Sequence, residues 1–168
     1  MGSTPVCSLQ YVPRKEESSF KKSGLLVSQL DKLLFFESKQ NEEYKCHPLL
    51  IEQNIMSCSF EPNTRSVMLS TRPTLKHLNV RHLTYEFEPI DNDEENPNIA
   101  LNLIHTYSGG KTQQKLAKSR LFTYDSRLYG CASEEPSKCV IIWDVSNSII
   151  KLLININKLY LVCYNLKR

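Results

Sequence analysis

The stretch that most constrains this chain is KCVIIWDVSNSIIKLL, from Lys138 to Leu153. Two apolar runs, Val140 to Trp143 and Ile149 to Leu153, flank a polar turn of Ser146, Asn147 and Ser148. Short apolar runs rich in β-branched residues and joined by a few polar ones form an antiparallel hairpin. The first of these strands ends on Trp143 followed by Asp144. A lone hairpin is only marginally stable, so the remaining residues must supply further strands for this one to pack against.

They do so in cycles. VCSLQY (Val6 to Tyr11) alternates, with Cys7, Leu9 and Tyr11 on one face. After a charged, serine-containing loop from Pro13 to Ser23 come GLLVSQL (24–30) and KLLFFE (32–37), read as a hairpin, and then HPLLIE (47–52), an outer strand in which Pro48 is tolerable only at the start or on an edge. A second cycle follows with IMSCSF (55–60), SVMLST (66–71), VRHLTYEFE (80–88) and ALNLIHTY (100–107). The acidic run Asp91 to Glu95 falls in a surface loop between the last two. Gly109 and Gly110 punctuate the next connection, and Lys111 to Lys118 has the composition of a short helix. A third cycle runs through Leu121 to Tyr124, Leu128 to Ala132 and the opening hairpin, and a last apolar run spans Leu159 to Tyr164.

Laid in register, the first strands fall near Cys7, Met56 and Phe122 and the third strands end near Phe36, Phe87 and Trp143. Four strands per unit, the third finishing on Trp-Asp in the best-formed copy, is the pattern of a WD-repeat propeller blade. The period is about 50 to 57 residues, longer than the usual 40 to 45, and loops hold the excess. The expected fold is all-β, a single incomplete propeller over 1–168: blades at 5–52, 53–110 and 118–157, and the first strand of a truncated blade at 158–168. Roughly three blades and one extra strand make an open arc, because a closed ring takes about 4 to 8 blades. Open first and last strands would leave unpaired backbone groups that invite aggregation or oligomerisation.

Composition narrows the function. A net charge of +3 is too small to argue for direct nucleic-acid binding. The six cysteines contain no Cys-x-x-Cys pair and no signal peptide precedes them, which points to reduced thiols in an intracellular protein. Val6 stands where an N-myristoylation motif has Ser or Thr. The most apolar region, 149–163, is interrupted by Lys151, Asn155, Asn157 and Lys158, so no membrane span is expected.

No catalytic constellation emerges. HTYSGGKT (His105 to Thr112) carries the Gly110, Lys111, Thr112 half of a phosphate-binding loop, but His105 occupies the position of its first glycine; a glycine turn between blades is the plainer reading, and a nucleotide-binding protein the alternative. Asp91, Asp93 and Glu95 begin like a calcium loop, yet Asn96 and Asn102 hold its glycine and glutamate positions. His47, His77, His82 and His105 lack metal-ligand spacing, and no cofactor or metal is expected. Basic residues gather in two groups, Arg65, Arg72, Lys76 and Arg81, and Lys111, Lys115, Lys118 and Arg120. The first group is the candidate partner-binding surface, suited to an acidic partner; Trp143 and Asp144 are the structural signature of the blade.

CSLQYVPR, FEPNTRSVMLSTRP (Phe60 to Pro73), LIHTYSGG (Leu103 to Gly110) and CVIIWDVSNSIIKLL, in this order and spacing, resemble the C-terminal WD-repeat domain of the RING-finger and WD-repeat E3 ubiquitin ligase family, from about Pro5 to Leu166. The resemblance implies a nuclear ligase of the DNA-damage response that engages replication protein A at stalled forks and interstrand crosslinks, the propeller being its recruiting module. It also implies an N-terminal RING and a coiled coil, for which this chain has neither the zinc-binding Cys pairs nor the heptads. A protein-binding fragment is therefore expected, with a generic WD-repeat scaffold for other partners as the alternative.

Overall fold

The computed structural model describes residues 4–39, 43–51, 54–89, 99–111, 118–147, 150–155 and 161–162. Among these residues there are thirteen strands and no helix, hence none long and apolar enough to cross a membrane. The expected short helix at 111–118 and the acidic loop 91–95 lie outside the described residues, apart from Lys111 and Lys118.

Three antiparallel sheets form in chain order. The first comprises β1 (Val6–Val12), β2 (Gly24–Gln29), β3 (Leu33–Ser38) and β4 (Tyr44–Leu49). The second comprises β5 (Ile55–Glu61), β6 (Ser66–Thr71), β7 (Arg81–Pro89) and β8 (Ile99–Ser108). The third holds β9 (Ser119–Tyr124), β10 (Arg127–Glu134), β11 (Cys139–Asp144), β12 (Ile150–Asn155) and β13 (Leu161–Val162), the last pairing with β12 through Leu153↔Val162 and Ile154↔Leu161. Sequential strands pair throughout, so each sheet is a meander, and no sheet closes on itself. This is a partial, open WD-repeat propeller.

Strand positions follow the apolar alternation closely except at β4, expected over 47–52 and found at Tyr44–Leu49. Its pairing runs Ser38↔Tyr44, Glu37↔Lys45 and Leu34↔Pro48. Outermost strands are half solvated, so the polar start of β4 carries no apolar signal, and Pro48 is accommodated because β4 has a neighbour on one side only.

The second sheet is the middle layer, and every residue of β5 and β6 is buried. Its alternating side chains serve two different interfaces. Cys58, Leu69 and Leu83 form one cross-strand row and Phe60, Val67 and Tyr85 another; both pack with Val12, Phe20, Leu26, Leu33 and Phe35 of the first sheet and its connecting loop. Phe20 anchors that layer, stacked on Phe87 at 4.6 Å and edge-on to Phe35 at 5.5 Å. Met68 points the other way and joins Leu121, Ala132, Ile141, Trp143 and Val145 in a smaller core between the second and third sheets.

Candidate functional site

Trp143 is the centre of the second core, and its placement explains the Trp-Asp pair. The indole is fully buried, stacks on Tyr107 of β8 at 4.5 Å and contacts the His82 ring of β7 at 5.2 Å. Directly across the ladder stands Gly130. A Cβ there would lie 2.4 Å from Trp143 Cζ2, so only glycine lets the indole lie flat against β10. The next residue, Asp144, turns the chain: its Oδ1 accepts hydrogen bonds from the backbone N–H and the hydroxyl of Ser146.

Behind Trp143 runs a polar latch that sequence patterning did not reveal. Ser57, Ser70 and His82 form one cross-strand row of the middle sheet. Ser70 Oγ lies 2.7 Å from His82 Nδ1 and donates to Ser119 Oγ at 2.6 Å. Ser119 in turn donates to Ser57 Oγ through its backbone N–H at 3.0 Å and its hydroxyl at 3.3 Å. Further along, Ser59 Oγ accepts from the N–H of Leu121 and Glu61 Oε1 from the hydroxyl of Thr123. Alternate side chains of β5 thus satisfy the free inner edge of β9, which buried backbone groups require. Burial drives the His82 pKa down to about 4, so the imidazole is neutral at physiological pH. Serines at every second position of IMSCSFE were the available signal; they read as ordinary strand residues because the partner strand is 62 residues away.

The basic residues divide. Arg65 leaves the candidate partner-binding group, because it is only 4% exposed and its guanidinium is committed inside the fold. It donates to the carbonyls of Pro13 at 2.7 Å and Lys22 at 3.0 Å and lies over the rings of Phe20 and Phe60. It also sits in the β5–β6 turn, at the far end of the middle sheet from Arg72 and Lys76. Arg72 and Lys76 are exposed on the β6–β7 loop, and Arg81 is half-buried where that loop enters β7. Two apolar side chains unnoticed by charge counting accompany them: Leu75 is fully exposed and Leu78 is 67% exposed. Within the loop, Thr74 N–H donates to the His77 carbonyl at 2.7 Å and Thr74 Oγ1 accepts from His77 N–H at 3.1 Å.

The second basic group converges on the same end. Val80 N–H donates to the Gly110 carbonyl and Gly109 N–H to the Val80 carbonyl, at 2.9 and 2.8 Å, tying the β6–β7 loop to the β8–β9 connection. Lys111 follows immediately and is exposed, as are Lys118 and Arg120 on either side of Ser119. Lys115 lies outside the described residues. These bonds also bear on the phosphate-loop reading: Gly109 N–H, which such a loop would aim at phosphate, is already spent on Val80. Among the described residues no cluster of His, Cys, Asp or Glu is placed to hold a metal.

Residues 1–161 match the family model described as the E3 ubiquitin-protein ligase RFWD3 WD40 domain. The chain belongs to this family. It is 26% identical over 147 residues to the E3 ubiquitin-protein ligase RFWD3 of Homo sapiens, covering 85% of this chain and 19% of that relative. Against the giant panda (Ailuropoda melanoleuca) protein the identity is 29% over 154 residues, 89% of this chain and 20% of the relative; against Mus musculus it is 26% over 150 residues, 87% and 19%. The chain thus spans about a fifth of the length of these relatives. Membership in the RFWD3 WD40 family agrees with the all-β architecture and with Trp143 and Asp144 at the end of a third strand.

Proposed function

We propose that this chain is a protein-recruiting part of a RING-type E3 ubiquitin ligase acting in the nucleus in the DNA-damage response and interstrand-crosslink repair, and that replication protein A is its partner. The blades of this unit are 5–52, 53–110 and 118–157; of the expected further strand at 158–168, the described part, Leu161–Val162, pairs with β12 of the third sheet. The single observation that carries a binding role is the β6–β7 loop. Arg72 and Lys76 flank Leu75, and Leu78 follows, all exposed, at the same end as Lys111. Solvent-facing leucines beside cations are costly unless a partner covers them, and an acidic partner segment with bulky apolar residues meets both requirements.

The experiment is direct binding of purified replication protein A to the chain by biolayer interferometry at several salt concentrations. Expected is saturable binding that weakens about tenfold in Leu75→Asp and Lys76→Glu and falls with salt, while Arg65→Lys, remote from the loop, leaves affinity unchanged in folded protein. Binding untouched by both loop variants refutes the loop as the contact surface. No binding at any salt refutes the partner. Ubiquitin transfer by this chain alone, with activating and conjugating enzymes present, refutes the non-catalytic reading.

A further inference from the structure

We infer that the outer edge of the middle sheet is a strand-addition site for an extended, basic segment of a partner protein. The sheets that stack on both faces of this sheet belong to the chain itself, so what it leaves open is the free edge of β8. Among the described residues the three sheets end differently on their outer side. β4 carries Lys45 and Pro48, a charge and an imino acid that discourage further pairing, and β12 is paired with β13. β8 pairs with β7 alone. Its ten residues, IALNLIHTYS, include no Lys, Arg, Asp, Glu or Pro, and Leu103 and Ile104 are 49% and 39% exposed. A long uncharged edge of this composition is one that folded chains otherwise blunt, because its unpaired N–H and C=O groups template another strand.

Register fixes where the added strand lies and what it carries. Tyr85 pairs with Leu103 and Thr84 with His105, so Ile104 is the extra residue of a bulge that divides the edge. Before the bulge, Ile99 to Leu103 runs in unbroken register with Pro89 to Tyr85. Leu101 and Leu103 share a face with Phe87 and Tyr85, the face packed on the first sheet. Ala100 and Asn102 stand on the other face, in rows with Glu88 and Glu86, and both glutamates are exposed. A strand beside β8 lies two strand spacings, about 10 Å, from those carboxylates. Across the short side chains of Ala100 and Asn102, a Lys or Arg on that strand spans the distance to a glutamate, while the residues between meet Leu101 and Leu103. The matching segment therefore alternates Lys or Arg with β-branched apolar residues: its backbone supplies affinity and its alternate side chains supply specificity. This stretch is at the Pro89 end of β7, and the basic β6–β7 loop is at the Arg81 end, so the two surfaces differ in place and in charge.

The test is fluorescence anisotropy of a labelled, end-capped peptide alternating Val and Lys, titrated with the whole chain, together with amide hydrogen exchange of the complex read by mass spectrometry. Expected is saturable binding with slowed exchange over 99–103 and none over β4. Affinity should fall about tenfold when alternate peptide N–H groups are methylated, because the backbone bonds are then lost, and about tenfold in Glu86→Lys combined with Glu88→Lys. Leu103→Lys, which gives β8 the kind of charge that β4 carries, should weaken binding by a similar factor. All three side chains are exposed and thermal melts confirm folding; the methylated peptide reads the same contact on unaltered protein if a variant does not fold. Full-strength binding of the methylated peptide overturns strand addition, and so does protection that falls on another strand. A Val and Glu peptide that binds equally well, or an affinity indifferent to the glutamate substitutions, overturns the basic occupant. No binding overturns the site. None of these outcomes depends on replication protein A binding.

Discussion

Acidifying the protein from pH 7.5 to 5.0 should weaken it chiefly through His82, and the size of the loss follows from its surroundings. Ser70 Oγ gives its proton to Ser119, so His82 Nδ1 must carry the proton it shares with Ser70, and Nε2 is the site left to protonate. That nitrogen lies beside Gly109, within a pocket wall shared with Val80, Tyr107 and Trp143, where burial disfavours a cation even with the Glu134 carboxylate on the same pocket. The folded-state pKa is consequently about 4, against an ordinary 6.5. A histidine with a depressed folded pKa contributes full stability above its unfolded value and loses it as pH falls, because the unfolded chain takes up the proton first. The complete loss, over about 2.5 pK units, is roughly 3 kcal/mol, and about 2 kcal/mol of it is spent by pH 5. Urea unfolding at the two pH values measures it. His82→Asn removes the titration, so this variant, though less stable at pH 7.5, should lose markedly less on acidification. His105, whose pKa burial also lowers, titrates in both proteins and so drops out of the difference between them. Equal acid losses in wild type and His82→Asn would refute the assignment.

Three other substitutions probe the frame that holds the loops. Gly130→Ala drives a methyl group into the indole of a fully buried tryptophan and should cost about 3 kcal/mol by urea titration, with Trp143 emission shifting to the red if the indole is displaced toward water and staying unshifted if the backbone yields instead. Arg65→Ala abandons two carbonyl partners and the cover over Phe20 and Phe60, with an expected loss of about 2 to 4 kcal/mol, whereas Arg65→Lys recovers part of it because one ammonium cannot serve both carbonyls in the guanidinium's geometry. Glu37 is buried among Lys22, Lys39 and His47. Burial pushes its carboxyl up, but the hydrogen bonds from Lys39, His47 and Lys22 outweigh that and hold the pKa below the ordinary range. Its contribution is present above the unfolded pKa and disappears as pH falls through the folded one, so Glu37→Gln should lose about 1 to 3 kcal/mol at pH 7 and show a shallower acid limb below pH 4.5 by circular dichroism.

What the sequence made legible and what it hid divide along a physical line. Strand positions were readable where a short apolar run is bounded by polar residues, as in GLLVSQL and KLLFFE, or where apolar and polar residues alternate, as at Leu83, Tyr85 and Phe87 of β7. β4 slipped because its first residues, Tyr44 and Lys45, have only one paired edge and no buried face to advertise. Trp143 was identifiable by type, but Gly130, the residue that makes room for it, lies in a strand 13 positions away and looked like any small residue. Charge counting placed Arg65 with Arg72 and Lys76 since they are neighbours in sequence; the six residues of β6 between them span about 20 Å and put them at opposite ends of a sheet.

The hidden features are the ones that join sheets rather than build them. Within a blade, hydrogen bonds run strand to strand and the period of two reports them. Between blades the first and second sheets are joined by apolar rows, which alternation can reveal one face at a time. The second and third are joined by Ser57, Ser59 and Glu61 acting on the bare edge of β9, with His82 and Trp143 closing the cleft outside them. A serine ladder of this kind substitutes for the strand that the inner edge lacks: it satisfies backbone donors without extending the sheet toward the axis.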